Sequence, residues 1–183
     1  MSANERIAEI FERIFDPGHR FIATSDVEHS FIHRGLGYVY MGNTGSLSAG
    51  STYSIGWHTP IATAKRSIHS RPAIFASTAN ILLVSYNEGQ AYSGGTAAFG
   101  VNCNRNMADA PNALYYGVTP SGSGTLIMQD VIGATNTSGT GGSKGMTNER
   151  VLRPDTDYVV TFNNISNGAT TGYFTMFWYV YTE

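Results

Sequence analysis

The chain has 183 residues and a formal net charge of −2, the length of one domain, without the basic excess that a nucleic-acid backbone calls for. Hydrophobic residues make up 42% but charged residues only 13%, about half the usual charged share, so a core can form while the surface draws on Gly, Ser, Thr and Asn. No window approaches the roughly 18 consecutive apolar residues of a membrane-spanning helix, and the single cysteine, Cys103, rules out an intramolecular disulfide; nucleic acid and membrane are not expected as partners.

Met1–Arg6 has neither a cationic start nor an apolar segment, so the sequence predicts synthesis and folding in a reducing cytoplasm. Next, Ile7, Ile10, Phe11 and Ile14 recur at helical spacing, with Ser2 and Glu5 as a capping box and Asp16-Pro17-Gly18 as a stop. These residues predict an amphipathic helical arm over 1–18. A helix of about a dozen residues is marginal alone in water, so its stripe needs a surface: the main body, a sister copy or a foreign protein.

Over 19–183 the cues are β: short runs of aromatic and β-branched residues punctuated by Gly, Asn, Ser and Pro. Strands are expected near 20–24, 27–33, 37–41, 51–57, 61–69, 72–76, 80–86, 96–102, 112–118, 124–132, 157–165 and 172–182, with a Gly/Ser/Thr loop over 133–148. So many short strands with little helical period between them predict an all-β domain, an antiparallel sandwich or barrel. Ser166-Asn167-Gly168 is expected to join the last two strands as a hairpin. In the first of them Tyr158, Val160 and Phe162 share one face. The second, "GYFTMFWYVYT", is apolar or amphipathic on both: Phe174, Met176, Trp178 and Val180 against Tyr173, Thr175, Phe177, Tyr179 and Tyr181. A sheet with one wet face would alternate, so the second face needs a cover, either this chain's helix or another subunit. Tyr173, Phe177, Tyr179 and Tyr181 are therefore candidate interface residues, together with Ile7, Ile10, Phe11 and Ile14 of the arm.

Catalytic, cofactor and metal sites are not expected. His29 and His33 lie four residues apart in a predicted strand, about 13 Å, too far to share a metal. Asp155 and Asp157, flanking Thr156 after Pro154, read as turn chemistry. The run "GTGGSKG" (139–145) lacks the Gly-Lys-Ser/Thr ending of a phosphate loop. A hydrolase would need paired carboxylates or a His–carboxylate pair in a cleft.

The segment 150–183 has the form Leu152-x-Pro154-x-Thr156-x-Tyr158, a strand ending Phe162-x-Asn164, a Ser/Asn/Gly turn and an aromatic closing strand. It resembles the C-terminal hairpin of small β-sandwich structural proteins of tailed bacteriophages, the capsid decoration (cement) and head-fibre proteins; "GYVYMGNTGSLSAGSTYSIGWHTP" (37–60) resembles their early strands. The resemblance implies a jelly-roll-like β-sandwich, a homotrimer on the outer surface of a virion, whose partners are its sister chains and the major capsid protein. The other reading is a receptor- or glycan-binding fibre module, in which an exposed Trp57, or Tyr92, Tyr115 and Tyr116, would stack on sugars. A buried Trp57 favours the decoration protein.

Overall fold

In the computed structural model, which describes residues 31–60, 66–76, 81–132, 143–145 and 150–182, the alternating segments form strands β1 (Gly37–Asn43), β2 (Thr52–His58), β3 (Arg66–Ala76), β4 (Leu82–Glu88), β5 (Ala91–Ser93), β6 (Thr96–Phe99), β7 (Val101–Asn102), β8 (Ala113–Tyr116), β9 (Thr119–Ser121), β10 (Thr125–Ile132), β11 (Ser143–Gly145), β12 (Arg150–Leu152), β13 (Asp157–Asn164) and β14 (Gly172–Thr182). The first sheet runs β11-β3-β14-β1-β7, with β12 beside β3; the second runs β10-β4-β13-β2-β8-β6; β5 and β9 form a two-stranded ribbon. All pairings are antiparallel. The first four strands alternate between the sheets, and the last two pair with them: β13 between β2 and β4, β14 between β1 and β3.

The two sheets share one core in a β-sandwich-like arrangement. Trp57 of the second sheet packs on Trp178 of the first at 5.4 Å between ring centres, and Phe162 meets Phe174 edge-on at 6.2 Å. Tyr38, Ile55, Leu82, Val84, Tyr86, Leu114, Tyr158, Val160 and Met176 belong to the same cluster. Aromatic pairs at these spacings add to the burial of their area.

Several sequence expectations change here. The final two strands are not a hairpin: β13 and β14 belong to different sheets, and the 165–171 connection carries the chain across the core. The period-2 pattern is the same for a hairpin and for two facing strands, so alternation alone does not separate them. The two strands expected around Arg71 are one continuous β3 running through Pro72. A proline inside a strand removes a ladder donor, and the described partners on the edge away from β14 lie to either side of it: β11 pairs with Phe75–Ala73 and β12 with Ser70–Ile68. Ser143–Gly145, expected in a loop, is β11. Residues 31–33, expected as strand, are helical, so His33 does not lie on a strand. The helical arm, with Ile7, Ile10, Phe11 and Ile14, lies outside the described residues, as does the strand expected at 20–24.

On the outer side of the second sheet, Ser54 and Thr161 hydrogen-bond at 2.9 Å. Ser54 and Val159 are both buried there, Val159 beneath the β5–β9 ribbon. Tyr92 lies on Gly56, the register partner of Val159, and a Cβ on Gly56 would come 2.7 Å from the tyrosine ring.

The motif residues of 152–164 have local duties. Tyr158 accepts a hydrogen bond from the Arg153 N–H at 2.8 Å, and Thr156 donates to the Pro154 carbonyl at 2.7 Å, so the turn is pinned at both ends. Asn164, fully buried, donates to the carbonyls of Leu47 at 2.9 Å and Gly168 at 2.8 Å and accepts from the Ser166 N–H. It ties the crossing between the sheets to the β1–β2 connection. Asn164→Ala removes three hydrogen bonds at a buried site and is expected to lower stability by about 1–3 kcal/mol, whereas the half-buried neighbour Asn163→Ala stays close to wild type. Urea-unfolding midpoints of the two variants compare them directly.

Candidate functional site

Residues opposite one another in an antiparallel pair share a face, so the registers spell out the outer side of the first sheet. Along β14 it carries Tyr173, Thr175, Phe177, Tyr179 and Tyr181. Opposite these on β1 stand Asn43, Met41, Val39 and Gly37. Val101 of β7 faces Val39, His69 of β3 faces Tyr179, and Val151 of β12 faces His69. Such a face is normally polar when it meets water. Here Met41 is 72% exposed, Val151 62%, Tyr173 45% and Tyr181 38%, with Val101 also open.

Part of this face is covered by its own chain. Phe31 stacks on Tyr179 with ring centres 4.7 Å apart and meets Tyr181 edge-on at 5.6 Å. His69 stacks on Tyr179 from β3 at 4.8 Å, and the Arg34 guanidinium lies over the Phe31 ring. Tyr179 is consequently only 4% exposed. Of the four β14 candidates, Tyr173 and Tyr181 reach solvent, Phe177 is half-buried and Tyr179 lies beneath Phe31. The sequence reading missed Met41, Val101 and Val151. Met41 had the same signal as β14, since "YVYM" in β1 is apolar on both faces; Val101 and Val151 lie on strands too short to show a period.

A second, polar site occupies one end of the sandwich. Its cleft, about 630 Å³, is lined by Glu88, Gly89, Ser123, Gly124, Thr125, Arg153, Asp155, Thr156 and Asp157. His58 places Nδ1 2.8 Å from Asp157 and Nε2 3.3 Å from Asp155. Asp155 holds a left-handed backbone, φ 49°, rare outside glycine. The turn is anchored by buried Thr59, which donates to the Arg153 carbonyl at 2.6 Å and accepts from the Thr156 N–H at 3.0 Å. Tyr158 donates to Glu88 at 2.9 Å. His58 thus forms the His–carboxylate pair that a hydrolase would require, but both ring nitrogens are occupied by carboxylates, and no serine, threonine or cysteine among the described residues hydrogen-bonds it. Among those residues no three His, Cys, Asp or Glu side chains are arranged to hold a metal ion. Trp57, the proposed sugar platform, is 2% exposed; Tyr92 is half-buried and Tyr116 reaches solvent.

No protein-family model matches the chain, and no curated protein matches it in sequence. Residue geometry therefore carries the functional reading.

The polar end titrates in alkali. Burial pushes the Tyr92 hydroxyl up to about 12 from 10.0, with Asp157 and Tyr115 adding to it. Burial likewise raises Tyr158 to about 12, opposed by its bond from the Arg153 N–H and reinforced by Glu88. Above the ordinary tyrosine value of 10.0 the unfolded chain sheds protons that these two folded hydroxyls keep, so stability, full below that value, falls as the pH rises toward 12. Urea midpoints measured across this window are expected to decline with pH, and Tyr92→Phe is expected to make the decline shallower.

Proposed function

We propose that this chain is a non-enzymatic structural protein of a virion, a decoration protein that assembles as a homotrimer and cements the outer surface of a phage capsid. The observation that carries the reading is the exposed apolar outer face of the first sheet: Met41, Val101, Val151, Tyr173, Phe177 and Tyr181. The second sheet exposes Phe99, Leu126 and Val131 as well, but the two most exposed large hydrophobic side chains among the described residues, Met41 and Val151, stand on the first, and that face suits burial against another copy. Tyrosine gives such a contact area together with a polar edge. A ring of identical subunits can bury one sheet face of each copy around a common axis.

The winding of the chain supports the jelly-roll form of this reading. Its early strands alternate between two sheets and its late strands return between them, as when one long hairpin is wrapped around a core. The resemblance in sequence of 150–183 and 37–60 to phage decoration proteins, which does not extend to a closing hairpin, suggests the capsid partner, and low charge suits a protein held against a lattice. Repeated weak contacts over such a lattice add through multivalency.

The alternative, a receptor- or glycan-binding fibre module, draws on the polar cleft of Glu88, Asp155 and Asp157 near Tyr92. Burial of Trp57 weighs against it, since the larger stacking platform is spent inside the core.

Light scattering after size exclusion is expected to give the mass of three chains. The double variant Met41→Glu, Phe177→Lys is expected to give one, with its thermal transition still cooperative. A wild-type monomer at every concentration would overturn the assembly. Wild-type trimers that fail to bind capsids, while binding glycans through a site lost in Asp155→Ala, would favour the fibre module.

A further inference from the structure

The inner face of the first sheet bounds a second cavity, about 640 Å³, at an end of the sandwich. Its floor is Tyr38, Ile68, Leu152, Trp178 and Val180, and its rim includes Pro60, Pro111 and Pro154 with Asn112 and Arg153. This volume falls within the range of small-molecule pockets, which are mostly apolar with a few placed polar groups.

The walls are built rather than loosely packed. Buried Asn102 donates from its side chain to the carbonyls of Ala108 at 2.8 Å and Gly35 at 3.0 Å. Its backbone N–H donates to Asp109 at 2.9 Å, which Arg105 also holds at 2.9 Å. The Ala110 N–H closes onto the Gly100 carbonyl at 2.9 Å. At Gly100 the backbone presses so close to Trp178 that an added Cβ would fall 2.0 Å from the indole. Trp178 is thereby fixed from behind, and the 103–112 segment that carries Ala110 is held in place by side-chain and backbone bonds. An apolar floor kept open in this way is costly to hydrate.

We infer that this cavity binds a small apolar molecule carrying one anionic group. Tyr38 and Trp178, stacked at 5.7 Å, back the floor with little of either ring open, Leu152 and Val180 complete its apolar lining, and the rim prolines present no N–H donors. Among the described lining residues Arg153 is the charged one. Its guanidinium is largely exposed and pairs with the mostly buried Glu88 through Nε at 3.2 Å, which leaves the terminal nitrogens of the planar fork to take a bound anion without breaking that pair. Asn112 offers a second donor. The cavity reaches the outer face of the first sheet at Val151, but Met41 does not line it, and the inference does not rest on the assembly proposed above.

The probe is anilinonaphthalene sulfonate, titrated into the full-length protein while its own emission and the quenching of tryptophan emission are followed. Saturable binding with quenching is expected. Ala110→Phe and Asn112→Trp, which fill the cavity from its wall and its rim, are expected to abolish it with circular dichroism unchanged. Arg153→Gln is expected to weaken it roughly tenfold, the loss of one charge-assisted hydrogen bond, and the uncharged analogue phenylnaphthylamine is expected to be weaker by a similar factor. The outer-face variant Met41→Glu is expected to bind as wild type. Absence of saturable binding, or binding that survives both filling variants, would overturn the inference. So would binding lost in Met41→Glu, which would place the dye on the sheet surface. A change of solution mass in Ala110→Phe without a change in dye binding would instead make the cavity a subunit contact, and the ligand site would fall.

Discussion

The structure depends on β14 having a partner along both of its edges. Its pairing with β3 runs from Gly172↔Ala76 to Thr182↔Arg66, and its pairing with β1 from Asn43↔Tyr173 to Gly37↔Tyr179. A strand held on both edges cannot slip by one residue without turning every side chain to the other face. Its inward side chains, Phe174, Met176 and Trp178, meet Phe162, Tyr38 and Trp57, so a slip would empty the middle of the core. The same lock fixes which aromatic side chains look outward. The exposed surface is thus a by-product of a register set by the interior.

The all-β character was legible in the sequence because the longer strands carry an unambiguous period of two. β1, β2, β4, β10, β13 and β14 lie within a residue or two of where alternation puts them. The short strands were not legible: β5, β9, β11 and β12 have three residues each, fewer than two periods. Sheet membership was not legible either. Asn164 shows why, because its buried side chain bonds to Leu47, 117 positions away, and no local pattern announces such a partner. Of the candidate surface, the β14 tyrosines were readable from their two-faced pattern, while their division into open and covered residues was not. Phe31 decides that division, and it sits in a stretch whose pattern suggested strand.

The Leu152-x-Pro154-x-Thr156-x-Tyr158 pattern has a local physical basis. Leu152 enters the core, Thr156 folds back on the Pro154 carbonyl, and Tyr158 reaches back to the Arg153 N–H. The turn built this way also carries Asp155 and Asp157 to the two nitrogens of His58. One short segment thereby serves the core, the cavity rim and the polar cleft, which explains how so few charged residues come to be gathered at one end.

The long return of the chain has a consequence for how the molecule is made. β1 and β2 find their central partners only in β14 and β13; the hydroxyls of Ser54 and Thr161 that meet across β2 and β13 are 107 residues apart in sequence. Contacts so distant must wait for loop closure before they return any energy, and topologies rich in them acquire their structure in milliseconds to seconds. As the chain emerges from the ribosome, its early strands present open edges and apolar faces with nothing to pair against. Wherever many copies are synthesised side by side, premature strand exchange between neighbouring nascent chains competes with the arrival of each chain's own closing strand.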